Sequence, residues 1–202
     1  MDAKQWAFIA MMSALGTVLS AISLNFSPVL IAVPGQGAAA LDLSHVATFV
    51  AAIFGGPFVG AVVGFLSGIY AGYHFGFVIG SLGILSLIAT PIGKSLTGLT
   101  AGFLYKKLKI NSGTHAATLT IPIILISYIP ECLYTISYFL YIVLYLYGNA
   151  MSFMIPIVIP KAWIEIAIMS VIMGALAGNT SFKEFIFRFF HSQKSENHRT
   201  GQ

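Results

Sequence analysis

Charge is scarce in this sequence: ten Lys and Arg and six Asp and Glu make up 8% of 202 residues. Water-soluble domains carry about 25%, so the chain cannot cover a surface that faces water. Cysteine occurs once, as Cys132 inside an apolar run, which excludes an internal disulfide and any Cys-x-x-Cys metal pair. Several catalytic motifs are missing as well. "GKS" at 93–95 resembles the end of a phosphate-binding loop, but that loop needs a glycine where Ile88 stands. Neither a Gly-x-Ser-x-Gly elbow nor a His-Glu-x-x-His pair occurs, so no catalytic residue is assigned and an intramembrane enzyme is only a minor alternative.

What the chain does have is apolar length. Hydrophobic residues make up 57% of it, and its mean hydropathy is +0.89. It belongs in a bilayer, and 202 residues suit about six short spans of about 20 residues each. The expected fold is all-α, a polytopic membrane protein forming a compact bundle of six transmembrane helices. They are placed at about 5–24, 44–55, 57–73, 90–106, 117–147 and 156–178. The first is read as a retained span, since its sequence lacks a small-residue cleavage site. "GGP" joins the second to the third, with Pro57 suited to a first helical turn. Two prolines and two glycines make 25–43 irregular. The stretch 74–89, weakened by Gly76, Gly80 and Gly83, reads as a re-entrant loop in preference to a span of its own.

The net charge of +4 invites a nucleic-acid partner, but the placement of the basic residues argues otherwise. Lys4 precedes the first helix, Lys106, Lys107 and Lys109 follow the fourth, and Lys183, Arg188, Lys194 and Arg199 follow the sixth. The positive-inside rule then puts both termini in the cytoplasm. Residues 1–180 form the membrane domain and 181–202 a cytoplasmic polar tail, whose end "SQKSENHRTGQ" is expected to be disordered.

The remaining polar residues lie within or beside spans, where charge is costly and by default faces a protein interior. They are Asp42, His45, His74, Lys94, Glu131, Lys161 and Glu165. All but Glu131 fall in the outer half of the membrane, so a binding cavity is expected there. Lys161 and Glu165 are four apart and can pair, or Lys161 can snorkel to the interface. Asp42 in "DLSH" suits an N-cap as readily as a ligand contact. Tightly spaced metal ligands are absent, and no metal is expected. Tyr134, Tyr138, Tyr141 and Tyr145 share one helical face. They suit either a membrane-interface belt or a stacking wall for a flat heterocycle, with Tyr134 and Tyr138 assigned to the site. Gly60, Gly64, Gly68 and Gly72 recur every fourth residue and allow close helix packing. Because four residues overshoot a helical turn by about 40°, only neighbouring members of the run are expected to share a face.

The order of these features resembles a known family. "AMMSA" lies on the first helix, "LDLSHVATFVAAIFGGPFVGAVVGFLSG" follows a long loop, "GKSLTGLTAGFLYKKLK" forms the fourth helix, and "IPKAWIEIAIM" opens the sixth. The chain resembles the substrate-binding S component of an energy-coupling factor (ECF) transporter over about 5–178. That resemblance implies capture of a vitamin or related micronutrient from outside, beneath the loop between the first two helices. It also implies docking, through small residues matched here by Ala7, Ala10 and Ala14, on a transmembrane coupling subunit with two cytoplasmic ATPases. ATP would then be used by those partners, with no cofactor on this chain, in a prokaryotic cell membrane. The cobalt and nickel branch carries histidine at position two, where this chain has Asp2. A proton-coupled secondary transporter using Glu131 is the alternative.

Overall fold

The computed structural model describes residues 3–26, 31–33, 37–39, 41–80, 82–108, 116–148 and 154–191. α1 (Ala3–Phe26) leads through a two-stranded ribbon, β1 (Ile31–Val33) and β2 (Gly37–Ala39), to α2 (His45–Gly55) and α3 (Pro57–Tyr73). Then come α4 (Ile84–Lys107), α5 (Ala116–Ser127), α6 (Ile129–Ser137), α7 (Leu144–Tyr147), α8 (Ile155–Gly178) and α9 (Thr180–His191). The fold is an all-α membrane bundle apart from the antiparallel ribbon, which pairs Ile31 with Ala39 inside the loop expected to be irregular.

Among the described residues, five stretches are long and apolar enough to cross a bilayer: 3–26, 57–78, 84–107, 116–147 and 155–178. The remaining expected helix, the second one at 44–55, is α2, which has 11 residues. It rises about 16 Å, half of a hydrocarbon core about 30 Å thick. It is apolar on nearly every side, with Ala47, Phe49 and Ala51 0% exposed, and a helix of that kind belongs in a core. α2 packs against α1, α3, α4 and α8, so the expected second span is a buried half-span.

The glycines of α3 form a longer seam than their spacing suggests. A Cβ on Gly60 would lie 2.7 Å from the Gly98 carbonyl oxygen, and one on Gly64 would lie 2.4 Å from that of Lys94. Gly68 faces Pro91 Cα, Gly72 the Ser86 carbonyl, and Gly76 the Gly83 carbonyl. All five therefore oppose α4, which corrects the expectation that the stripe must break up. Two helices crossing along their i, i+4 ridges can follow such a drift. In addition, His74–Val78 is a π-helical turn, which takes more residues per turn than an α-helix and brings Gly76 back towards α4.

That π turn also corrects the reading of 74–89. Residues 74–78 extend α3, α4 begins at Ile84, and the turn between them is short. Gly80 and Gly83 have φ of 75° and 55°, conformations glycine adopts freely. The penalty for glycine in a helix, reckoned for water, is offset here by close packing on α4.

The expected helix over 117–147 breaks at Tyr128, where Pro130 sits in the first turn of α6. It then passes through a second π segment, Tyr138–Val143. At the other end of the chain, α9 occupies the head of the segment read as a polar tail. Ile186 is 3% exposed, and α9 docks Phe182 on Phe54 and Phe189 on Phe8, with ring centroids 5.7 and 6.0 Å apart. Residues 192–202 lie outside the described residues. These contacts bring Lys4, Lys183 and Arg188 to one end of the bundle, and Gly102, packed on Pro57 next to the end of α2, brings Lys106 and Lys107 of α4 to the same end.

Candidate functional site

At the opposite end, a cavity of ≈ 220 Å³ opens between α4, α6, α8 and the start of α2. The local chain dictates how its charges are presented. Asp42 lies just ahead of α2, but the N-cap is Ser44. Asp42 instead accepts a hydrogen bond from the Ser44 amide on Oδ1 at 3.0 Å, which turns Oδ2 towards α4. Lys94 of α4 donates to that Oδ2 and to the Ser44 hydroxyl. Burial alone would raise the Asp42 carboxyl, but the Lys94 ammonium, with His45 beside it, holds it well below the usual carboxylate range.

Glu131 sits in the first turn of α6, where the helix dipole favours a carboxylate. Its Oε2 accepts the Thr97 hydroxyl and lies 3.3 Å from His45 Nε2. Lys161 and Glu165 pair along α8 at 2.7 Å, and Glu165 Oε1 also accepts the Asp42 amide at 2.6 Å. These residues do not snorkel: Lys161 is 8% exposed and Glu165 4%, and the Lys161 ammonium lies 5.1 Å from the Phe75 ring centre. The end of the first long loop is thus fastened to both α4 and α8 by buried polar contacts. A buried pair of this kind is fragile, because removing one partner strands the other charge.

Tyr134 and Tyr138 stack with centroids 6.1 Å apart and planes at 29°, and both line the cavity. Tyr141 and Tyr145 do not join them, being 74% and 87% exposed. The π segment that begins at Tyr138 rotates the later positions off the face they would share on an α-helix.

Of the residues expected at the site, all line this cavity except His74. His74 is buried behind Phe75, stacked on Tyr70 at 6.3 Å. Sequence reasoning missed Ser44, Thr97 and Tyr128. The first two are hydroxyls within hydrogen-bonding reach of expected charges, and Thr97 follows Lys94 by three positions on one helix. Tyr128, marked only by the proline two residues later, lines the cavity beside Trp163, with ring centroids 5.3 Å apart. Among the described residues, no three His, Cys, Asp or Glu side chains converge as a metal site requires.

The stripe on α1 lies elsewhere. Ala7, Ala10 and Ala14 are exposed while Phe8, Ile9 and Met12 turn inward, so the alanines are not used for packing within the bundle. The family model for the ECF transporter, substrate-specific component, matches residues 4–177. No curated protein and no solved structure matches the chain.

Proposed function

The chain belongs to the substrate-specific components of ECF transporters, and on that footing we propose that its cavity captures a vitamin-like micronutrient for ATP-driven import. The observation that carries this reading is the set of buried ionisable residues around a mostly apolar cavity, opposite the basic end of the bundle. Charges at such depth are costly unless paired or used, and here they line a space rather than fill it. The basic residues Lys4, Lys106, Lys107, Lys183 and Arg188 favour a cytoplasmic position, which turns the cavity outward. In this reading the protein is a multi-pass protein of a prokaryotic plasma membrane and performs no chemistry itself.

Release of the solute would follow docking on a transmembrane coupling subunit that carries two cytoplasmic ATPases. The exposed face bearing Ala7, Ala10 and Ala14 suits that contact, because in lipid association depends on close packing and small side chains permit it. To test capture, the full chain would be purified from cells grown in micronutrient-rich medium, then denatured and its released small molecules identified by mass spectrometry. A stoichiometric heterocycle is expected. Ligand-free protein that alone carries proton-driven flux in vesicles would overturn the reading.

A further inference from the structure

The charge arithmetic of the cavity narrows the class of solute. Lys94 is committed to Asp42 and Ser44, and Lys161 to Glu165 at 2.7 Å, so each ammonium already has a carboxylate. Glu131 is the third carboxylate on the wall, and among the described residues no lysine lies within ion-pair distance of it: its hydrogen bonds are to Thr97 and His45, and both end on Oε2. The space beside Oε1 is kept by Gly93, where a Cβ would lie 3.3 Å from that oxygen. The lining therefore holds one more carboxylate than lysine. If His45 is protonated the set becomes neutral, and still offers no unused cation to an anion.

A second observation lies on the same wall. Tyr138 is 7% exposed, and its hydroxyl has no hydrogen-bond partner among the described residues. A buried hydroxyl left unpaired is costly, so a ligand that bonds to it gains more than one that ignores it. Tyr138 stacks with Tyr134, and aromatic faces attract cations as well as flat rings. The volume of ≈ 220 Å³ lies below the roughly 300–1,000 Å³ of drug-sized sites, which limits the ligand to a small ring system.

We infer that the solute is a small flat heterocycle bearing a protonated or donor nitrogen, bound with its N–H towards Glu131 and Tyr138 and its ring on Tyr134 and Tyr138. This rests on the capture reading and deepens it. A carboxylate-bearing ligand would set a further negative charge against Glu131, or would have to break one of the two lysine pairs.

The test uses the full chain in detergent and three matched probes at equal millimolar concentration: 3-pyridylmethylamine, protonated at neutral pH, the neutral pyridine-3-carboxamide and the anionic pyridine-3-carboxylate. Thermal unfolding is followed for the wild type, Glu131→Gln and Tyr138→Phe. The amine is expected to give the largest upward shift, with affinity falling about tenfold or more in Glu131→Gln and less in Tyr138→Phe. Equal or greater stabilisation by the carboxylate, an unchanged preference in Glu131→Gln, or no shift with any probe would overturn the inference. A carboxylate ligand retained through purification would overturn it while leaving capture intact. Protein with neither a retained ligand nor a shift would overturn both.

Discussion

Replacing Gly64 by alanine adds one methyl group at the tightest point between α3 and the residue that carries the cavity's central cation. The new Cβ would lie 2.4 Å from the Lys94 carbonyl oxygen and 2.8 Å from its carbonyl carbon. These are backbone atoms, so no rotamer change relieves the contact; the helices must separate by about 1 Å to restore ordinary packing at about 3.5 Å. Overpacking of this kind costs about 1–3 kcal/mol, and a rigid carbonyl as the obstacle argues for the upper part of that range. Alanine's better helix propensity returns about 1 kcal/mol. The net loss of about 1–2 kcal/mol corresponds to a fall in Tm of roughly 2–8 °C for a chain of this size. Because the obstacle is Lys94 itself, the ammonium also moves relative to Asp42, and ligand affinity should fall with stability. Both would be measured on detergent-purified protein by thermal unfolding and equilibrium binding. A Gly64→Ala protein as stable as wild type, with unchanged affinity, would refute the seam as the support of the cavity.

Two further outcomes follow from other parts of the molecule. Ala10→Trp or Ala14→Trp should abolish ATP-dependent uptake in vesicles holding the complete transporter while leaving ligand affinity of the isolated chain intact; surviving uptake would place docking elsewhere. Asp42 has its folded-state pKa depressed, so its stabilising contribution is complete above the ordinary carboxylate value of about 4 and is lost as pH falls through the folded value. Asp42→Asn should therefore be less stable at neutral pH, because it leaves Lys94 without its carboxylate, yet lose less on acidification than wild type. Thermal melts across the acid range would check this.

Much of the membrane fold was legible because hydropathy and proline placement act locally. Pro57 opens α3 as its position implies, whereas α2 was expected to be one of six spans and is a buried helix of 11 residues. The clustering of the candidate site's residues was legible for a different reason. Ionisable residues in a bilayer need a common interior, so Asp42, Lys94, Glu131, Lys161 and Glu165 had few places to go. Their pairing was not legible, except for Lys161 with Glu165 on one helix. Lys94 bonds to Asp42 rather than Glu131, and that choice is made by how α2 seats against α4, across 52 residues of chain. The π turns were also hidden. They decide that Gly76 stays on the seam and that Tyr141 faces outward, yet no spacing or motif in the sequence marks them. His74 was drawn into the site by its charge alone, whereas its neighbour Phe75 faces the cavity.

The most direct test of the central claim compares ligand retention by the wild-type chain with that of Glu131→Gln and Lys94→Ala, all purified identically and shown to be folded by thermal unfolding. The account predicts about one small molecule per wild-type chain and little or none in either variant. Equal occupancy by the same molecule in all three proteins would contradict it, and would make the buried charges a structural device rather than a binding site.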